Sequence, residues 1–408
     1  MAVKLLLVHQ VFTLPGEGGG TRHYELARYL QADAVETTVI TSDVKYMTGR
    51  RLTDHRRLVT EETVDGIRIL RAWTYAATNA SYLRRVFSFV SFMLTSLWAG
   101  LVEAGRPDLV WGTSPPLFQA VTAWLLAALR RRPFLLEIRD LWPEFAIGMG
   151  VLKNRLLIWL SRRLELFLYA RATHLMVNSP AYRDYLKGKG VPEGKISLIP
   201  NGVDPDMFNP ENRGAWVREK YDLHGKFVVT YAGALGQAND IPAILRAAAR
   251  LRDEPRVHFL LVGDGKERPS LERQAAEMGL SNLTFLPWAS KSEMADILGA
   301  SDACLATLMD IPMFRTTYPN KVFDYMAAGR PTILAIDGVI RKVIEDAEGG
   351  VAVACGDEAA IAAAVGELSR DPERCRRLGA QARRHVVAHF NRHDQAAALS
   401  RLLRRWAT

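Results

Sequence analysis

From one end of the chain to the other, short apolar runs alternate with amphipathic helical stretches. A strand that is followed by a helix before the next strand begins cannot fold back as a hairpin, so this alternation calls for βα units and parallel sheets. The runs fall into two series. The first predicts strands at Val3–Val8, Val35–Ser42, Asp108–Gly112, Phe134–Arg139, His174–Asn178 and Ile196–Ile199. The second predicts them at Phe227–Tyr231, His258–Val262, Leu283–Leu286, Ala303–Thr307, Thr332–Ile336 and Gly350–Ala354. Between the two lies Pro200-Asn201-Gly202-Val203-Asp204-Pro205, where Pro and Gly punctuate the chain as they do in linkers. At 408 residues the chain also exceeds what one hydrophobic core sustains. The expectation is two α/β domains of similar size, 1–203 and 204–389, followed by a closing helix over 390–408. In that helix Ala396, Leu399, Leu402, Leu403 and Trp406 recur at helical spacing, which predicts packing back onto the first domain.

Hydrophobic residues make up 49% and charged residues 24%, the balance of a globular body. Cys304, Cys355 and Cys375 are isolated and odd in number, which gives neither a disulfide framework nor a metal-binding Cys pair. A reducing cytoplasm is expected, and Met1 to Val8 runs into an apolar strand without the pattern of a signal peptide. The net charge of +9 is concentrated in the first half, at Arg84-Arg85, Arg130-Arg131-Arg132 and Arg162-Arg163. Such asymmetry favours an anionic partner, a phospholipid surface or a phosphorylated substrate. No nucleic-acid-binding motif accompanies it, so no nucleic acid partner is expected.

The stretch Val86–Val102 carries no charge and sits at the lower length limit for a membrane span. Ser88, Ser91 and Thr95 make a polar stripe opposite Val90, Leu94, Leu97 and Leu101, which argues against spanning. Two readings stand: a helix lying in the membrane interface, or an internal helix of the first domain. A second basic amphipathic helix over Leu152–Ala172 sets Leu156, Trp159, Leu160, Leu164, Phe167 and Leu168 against Arg155 and Arg162, and is expected to pack on the sheet.

Chemistry-bearing motifs sit where strands end. After the first strand comes Pro15-Gly16-Glu17-Gly18-Gly19-Gly20-Thr21, then a helix near Arg22-His23-Tyr24, an arrangement that lets backbone N–H groups approach phosphate or sugar oxygens. Glu137-Ile138-Arg139-Asp140-Leu141-Trp142-Pro143-Glu144 closes a buried strand and sets Arg139, Asp140 and Glu144 toward the site expected beyond it. Tyr231-Ala232-Gly233-Ala234-Leu235-Gly236 and Val262-Gly263-Asp264-Gly265-Lys266-Glu267 repeat the glycine-loop logic in the second half. The richest stretch is Phe314 to Pro331, in which Pro319 opens a helix and Gly329 ends it. Lys321 and Asp324 share a face of its first turns, where a cation meets a diphosphate and a carboxylate accepts both hydroxyls of a ribose. An exposed ion pair between the two is the plain alternative.

At these residues the chain resembles the retaining glycosyltransferases of family four, with the GT-B fold. The segments that carry the likeness are the glycine loop, Arg139-Asp140-Leu141-Trp142-Pro143, Ile199-Pro200-Asn201-Gly202-Val203-Asp204, Val262-Gly263-Asp264-Gly265 and Pro319 to Gly329. The resemblance implies two Rossmann-like domains facing each other across a deep cleft, an acceptor on the first and a nucleotide-sugar donor on the second. Catalytic roles fall on Asp140, Arg139 and Lys321. The donor side comprises Gly19, Gly20, Gly233, Ala234, Leu235, Gly263, Gly265, Pro287, Trp288, Arg315, Thr316, Thr317, Tyr318, Asn320, Lys321 and Asp324. Asp324 matches the second acid of the family's paired-glutamate motif, which holds the ribose. The first acid falls at Thr316, and Arg139 stands where many members have His. The Arg and Lys that clamp the diphosphate in the family would follow Gly233, where this chain has Ala234-Leu235-Gly236-Gln237-Ala238, so Lys321 and Arg315 are expected to supply that charge. These departures resemble the branch that builds bacterial surface polysaccharides, including lipopolysaccharide, from deoxy or amino sugars on lipid-linked acceptors.

The implied reaction keeps the anomeric configuration, uses a nucleotide-sugar, expected to be UDP-linked, as substrate, and needs neither metal nor other cofactor. Its partners would be that donor, a lipid-linked or saccharide acceptor, and the anionic inner face of the cytoplasmic membrane. Two alternatives share the fold: a nucleotide-sugar epimerase or hydrolase, and a non-catalytic nucleotide-sugar-binding protein, the latter motivated by Thr316.

Overall fold

The computed structural model describes residues 2–17, 19–45, 49–53, 57–77 and 82–407. Met1, Gly18 and Thr408, which figure in the sequence reading, lie outside the described residues. The chain divides into two compact units. One holds Met1–Phe12, Thr21–Pro200 and His393–Thr408, the other Thr13–Gly20 and Asn201–Arg392. The glycine loop therefore groups with the second unit although it lies near the start of the chain.

The first unit is built on an eight-stranded sheet. Its strands are β1 (Val3–Val8), β2 (Val35–Ser42), β3 (Val59–Val64), β4 (Ile67–Ala72), β5 (Leu109–Ser114), β6 (Phe134–Ile138), β7 (His174–Val177) and β8 (Ile196–Leu198), in the order β3-β4-β2-β1-β5-β6-β7-β8. β1 pairs in parallel with β2 on one side and β5 on the other, and Leu5 to Val8 are buried, as a central strand covered on both faces requires. The hairpin β3–β4 is absent from the sequence reading. Its edge strand, Val59 to Val64, alternates half-buried with exposed side chains and carries Glu61 and Glu62, which mask the apolar signal. Glu61 and Glu62 pair across the hairpin with Arg68 and Arg71. The clue was the two-residue turn Asp65-Gly66, with φ of 49° and 77°, the conformation that Asp-Gly supplies in tight hairpins.

One face of this sheet carries three helices side by side, Tyr82–Val102, Leu117–Arg130 and Arg155–Arg171. The first two approach closely because residue 100 is Gly, where a Cβ would stand 2.4 Å from Leu126 Cδ1. Trp124 meets Phe167 edge-on at 4.8 Å between the second and third. The last helix, Arg392–Arg404, has Leu399 and Leu403 fully buried. Within the first unit Arg404 donates to the Asp33 carbonyl, and the Trp406 ring lies 6.0 Å from His174.

The second unit contains six parallel strands, β9 (Phe227–Ala232), β10 (Val257–Val262), β11 (Leu283–Leu286), β12 (Ala303–Thr307), β13 (Thr332–Ala335) and β14 (Gly350–Ala352), ordered β11-β10-β9-β12-β13-β14. All lie where the apolar runs put them, with ends shifted by a residue or two. In both units the loops that carry the candidate chemistry follow the carboxyl ends of parallel strands, where helix N-termini and free amides gather.

Truncating Leu403 to Ala empties a fully buried position and should destabilise the first unit by about 2–5 kcal/mol. Urea unfolding followed by tryptophan fluorescence would show this as an earlier midpoint, and an unchanged midpoint would mean that the last helix adds nothing to that core.

Candidate functional site

In the second unit two backbone loops lock together beyond β9 and β10. The Gly233 N–H donates to Val262 O at 2.9 Å, and the Leu235 N–H donates to Asp264 O at 2.8 Å. Gly263 lies so close to this turn that a Cβ would fall 1.9 Å from Gly233 O, and its φ of 149° disfavours any side chain as well. Glycine is required there by the approach of one loop to the other.

Lys321, in the first turn of the helix Asn320–Ala327, reaches into this arrangement. Its Nζ donates to the Tyr231 hydroxyl at 2.8 Å and to Asn239 Oδ1 at 2.9 Å, and lies 4.1 Å from the Tyr231 ring centre. The Tyr231 hydroxyl in turn donates to Ala234 O at 2.9 Å, which ties the ammonium to the glycine loop. Among the described residues no carboxylate pairs with Lys321. Loss of water around the ammonium lowers its pKa from 10.5 to about 7. Beside it the Asn320 side-chain oxygen is buried without a partner among the described residues, and Gly20 backs onto the Asn320 amide. The helix is pinned by Tyr325, whose hydroxyl accepts from the Ala232 N–H at 2.8 Å.

Asp324 does not pair with Lys321. Both of its carboxylate oxygens accept from Lys291 Nζ, at 3.0 and 2.8 Å. Lys291 opens the helix Lys291–Ala300 behind a capping box formed by Ser290 and Glu293. Arg315 is exposed and bonded to Asp310 at 2.8 Å. Thr316 and Thr317 turn their hydroxyls back to the carbonyls of Met313 and Phe314. The Tyr318 ring packs on Phe323 and Phe390, and its carbonyl accepts from Asn201 Nδ2 at 2.7 Å. After β11, Pro287 is exposed and the Trp288 indole N–H is buried without a partner among the described residues.

In the first unit a charged cluster is buried at the ends of β1, β5 and β6. Glu137 is fully buried and accepts from Arg22 Nε at 3.0 Å and from His23 Nε2 at 2.7 Å. Arg22 also donates to the carbonyls of Ile199 and Pro200. Burial alone would raise the Glu137 pKa, but the surrounding positive groups hold it at about 2, while burial keeps His23 neutral at about 4. With His23 uncharged at neutral pH, the Arg22 and Arg139 guanidinium groups carry that stabilisation. Against His23 stacks His9, its ring centre 4.1 Å away. Arg139 Nη1 faces His9 Nε2 at 3.4 Å, so His9 presents its lone pair there and donates through Nδ1 to Thr113 Oγ1 at 2.8 Å. Burial, then His23 and Arg139, push the His9 pKa far below its ordinary value. Asp140 is raised by burial to about 6, with Arg139 opposing. Glu144 grips Arg162 through both oxygens, at 2.9 and 3.0 Å. Among the described residues no three His, Cys, Asp or Glu side chains converge as metal ligands do.

A family model described as "Glycosyl transferase 4-like domain" matches residues 17–202, and one described as "Glycosyl transferases group 1" matches residues 226–371. The chain belongs to the family-four glycosyltransferases. It is 24% identical over 320 residues to WcaI of Escherichia coli K12, a glycosyl transferase named for colanic acid biosynthesis, covering 77% of this chain and 78% of that one. Sucrose-phosphate synthase from Thermosynechococcus elongatus shares the fold with a TM-score of 0.77 at 21% identity, over 99% of this chain and 98% of that chain. So does HepE of Anabaena, solved with UDP-glucose, with a TM-score of 0.73 at 17% identity, over 98% and 99% of the two chains. The fold is GT-B, as expected from the sequence.

This glycosyltransferase brings Gly233, Ala234, Leu235, Gly263, Gly265 and Lys321 into one locked arrangement in its second unit, and joins Gly20 to Asn320. Sequence reasoning missed Lys291, Tyr231 as a partner of Lys321, Asn239, His9 and the Glu137 cluster. His9 could have been noticed because it directly follows a central strand, whereas nothing in spacing links Lys291 to Asp324.

Replacing Glu137 with Gln leaves Arg22 and Arg139 without their buried counter-charge and should cost about 3–5 kcal/mol in urea unfolding. The pKa of Glu137 is depressed on folding, so its contribution is complete above about 4.5 and is lost as pH falls toward about 2. The wild-type chain should lose stability across that window and the variant should lose less; equal acid sensitivity would contradict the assignment.

Proposed function

We propose that this chain transfers a sugar from a nucleotide-sugar, UDP-linked, to a lipid-linked acceptor in the synthesis of a bacterial surface polysaccharide, with retention of the anomeric configuration. The observation that carries the proposal is Lys321. A cation taken out of water and offered only neutral oxygens is poorly satisfied until an anion arrives, and here it lies at a helix start beside interlocked glycine loops. A diphosphate supplies that anion, and its charge grows as the glycosidic bond breaks, when a fixed donor counts most. Asp324 then takes the ribose hydroxyls, sharing its oxygens with Lys291. In the first unit Arg139, oriented by His9, and Asp140, ionised at neutral pH, hold the acceptor. The proton of the acceptor hydroxyl passes to the departing phosphate, so no protein nucleophile is needed. The names of WcaI and of the HepE complex with UDP-glucose support the polysaccharide and UDP readings. The protein works at the inner face of the cytoplasmic membrane, where a lipid-linked acceptor resides.

Three variants test the donor site. Lys321→Ala should lower kcat strongly with a smaller effect on donor affinity, because the lost contact matters most in the transition state. Asp324→Asn should weaken nucleotide and nucleotide-sugar alike by about 1.5–3 kcal/mol, since both present the same ribose. Asp324→Glu, which restores the family's common residue, should be the mildest. Fully active Lys321→Ala and Asp324→Asn proteins would sink the donor site. Product analysis by NMR separates the readings: an acceptor glycoside with the donor's anomeric configuration supports transfer with retention. A converted or hydrolysed donor without acceptor, or binding without turnover, would favour the epimerase, hydrolase or sensor alternatives.

A further inference from the structure

A helix packed on a soluble core ordinarily turns its apolar side inward. The helix Tyr82–Val102 buries Phe92 and Ala99 but also turns polar side chains inward and large apolar ones outward. Ser91 Oγ accepts from the Tyr75 N–H at 2.9 Å, Thr95 Oγ1 donates to Trp73 O at 2.7 Å, and Ser96 is fully buried. Phe87 and Trp98 meanwhile stand 65% and 52% exposed, with Leu94 between them. The stretch Arg84–Val102 is long and apolar enough to cross a membrane by length and composition. Crossing would break the bonds to Trp73 and Tyr75 and strip Phe92 and Ala99 from the core, so the fold holds this helix flat against its sheet.

The helix Arg155–Arg171, expected from sequence to pack its apolar row on the sheet, repeats the inversion over its first half. Leu156 and Trp159 are 63% and 54% exposed, and Leu160 lies open beside them. Its buried side includes Glu165, which accepts from the hydroxyls of Tyr169 and Tyr185. The helix Leu117–Arg130 lies between the two, with Phe118 stacked on Phe89 and Trp124 against Phe167, so both outward apolar rows belong to one layer. Its margins are basic. Arg84 and Arg85 flank the first row and Arg155 and Arg163 the second; all four are exposed, and among the described residues none pairs with a carboxylate. Arg163 lies over the Trp159 ring at 5.5 Å.

We propose that this three-helix layer docks on an anionic lipid bilayer, with the helices Tyr82–Val102 and Arg155–Arg171 lying in the plane of the headgroups; the inference rests on the reading of the chain as acting on a lipid-linked acceptor. Apolar rows tipped by Trp and edged by Arg match the boundary between acyl chains and acidic headgroups. The same charges disfavour a second copy of the chain as occupant, since a two-fold contact would set Arg against Arg.

Flotation of the full chain with vesicles of phosphatidylcholine, with and without phosphatidylglycerol, is the test. Wild-type protein should float with the anionic vesicles, less with the neutral ones, and less as salt rises. The double variant Trp98→Ser, Trp159→Ser should bind about tenfold less or weaker still, and Arg84→Glu, Arg85→Glu should lose the preference for anionic vesicles. Both variants should keep the wild-type melting temperature and nucleotide affinity, so failure of this inference is separable from failure of the donor site. No flotation of wild type, or undiminished flotation of the Trp variant, would overturn the proposal. So would a wild-type dimer in light scattering that the Trp variant dissolves, or protein that leaves membranes only with detergent.

Discussion

The ammonium of Lys321 is the constraint on which the second unit's chemistry turns. Its neighbours are the hydroxyl of Tyr231 and the amide oxygen of Asn239, neutral groups that orient the charge without cancelling it. The rest of the unit keeps that arrangement rigid: Tyr325 fastens the helix to the end of β9, Gly263 lets the β10 loop touch the β9 loop, and Tyr231 binds the turn that follows. Fixed dipoles and a fixed charge stabilise a developing anion better than groups that must first reorganise. The carboxylate nearby is kept from quenching the ammonium because Lys291 occupies it.

The first unit solves the opposite problem. Glu137 is fully buried and survives as a charged group because Arg22 and His23 bond it and Arg139 stands near. Removing either side of such a cluster leaves an uncompensated charge in a core. The cluster also sets Arg139 against His9, and so limits where the guanidinium can lie.

Much of the fold was legible. Buried parallel strands read as continuous apolar runs, and all of them but β4 lie where the runs predict. The hairpin Val59–Ala72 was lost because Glu61 on the exposed face of its edge strand and Glu62 on the half-buried face interrupt any apolar run. Candidate residues carried by one helix, Lys321 and Asp324, were visible through their spacing, and the ion pair between them that spacing left as the alternative is replaced by partners 82 to 90 and 33 residues away. Helical periodicity located the helices Tyr82–Val102 and Arg155–Arg171 but could not say which residues face in: of the second helix's apolar row Leu156 and Trp159 are exposed while Leu168 is buried. That depends on tertiary acceptors such as Trp73 O, which no local pattern announces.

The proposed donor site requires that Lys321 meet a diphosphate. With a pKa near 7 in the free protein, the lysine is largely deprotonated at mildly alkaline pH, and a bound diphosphate must draw a proton onto it. Calorimetric titration with whichever of UDP, GDP and dTDP binds, at about pH 8 in buffers of different ionisation enthalpy, measures that proton directly. The account predicts net uptake approaching one proton per nucleotide bound, absent in Lys321→Met. Binding by the wild-type chain with no proton uptake, or with uptake that persists in Lys321→Met, would contradict it.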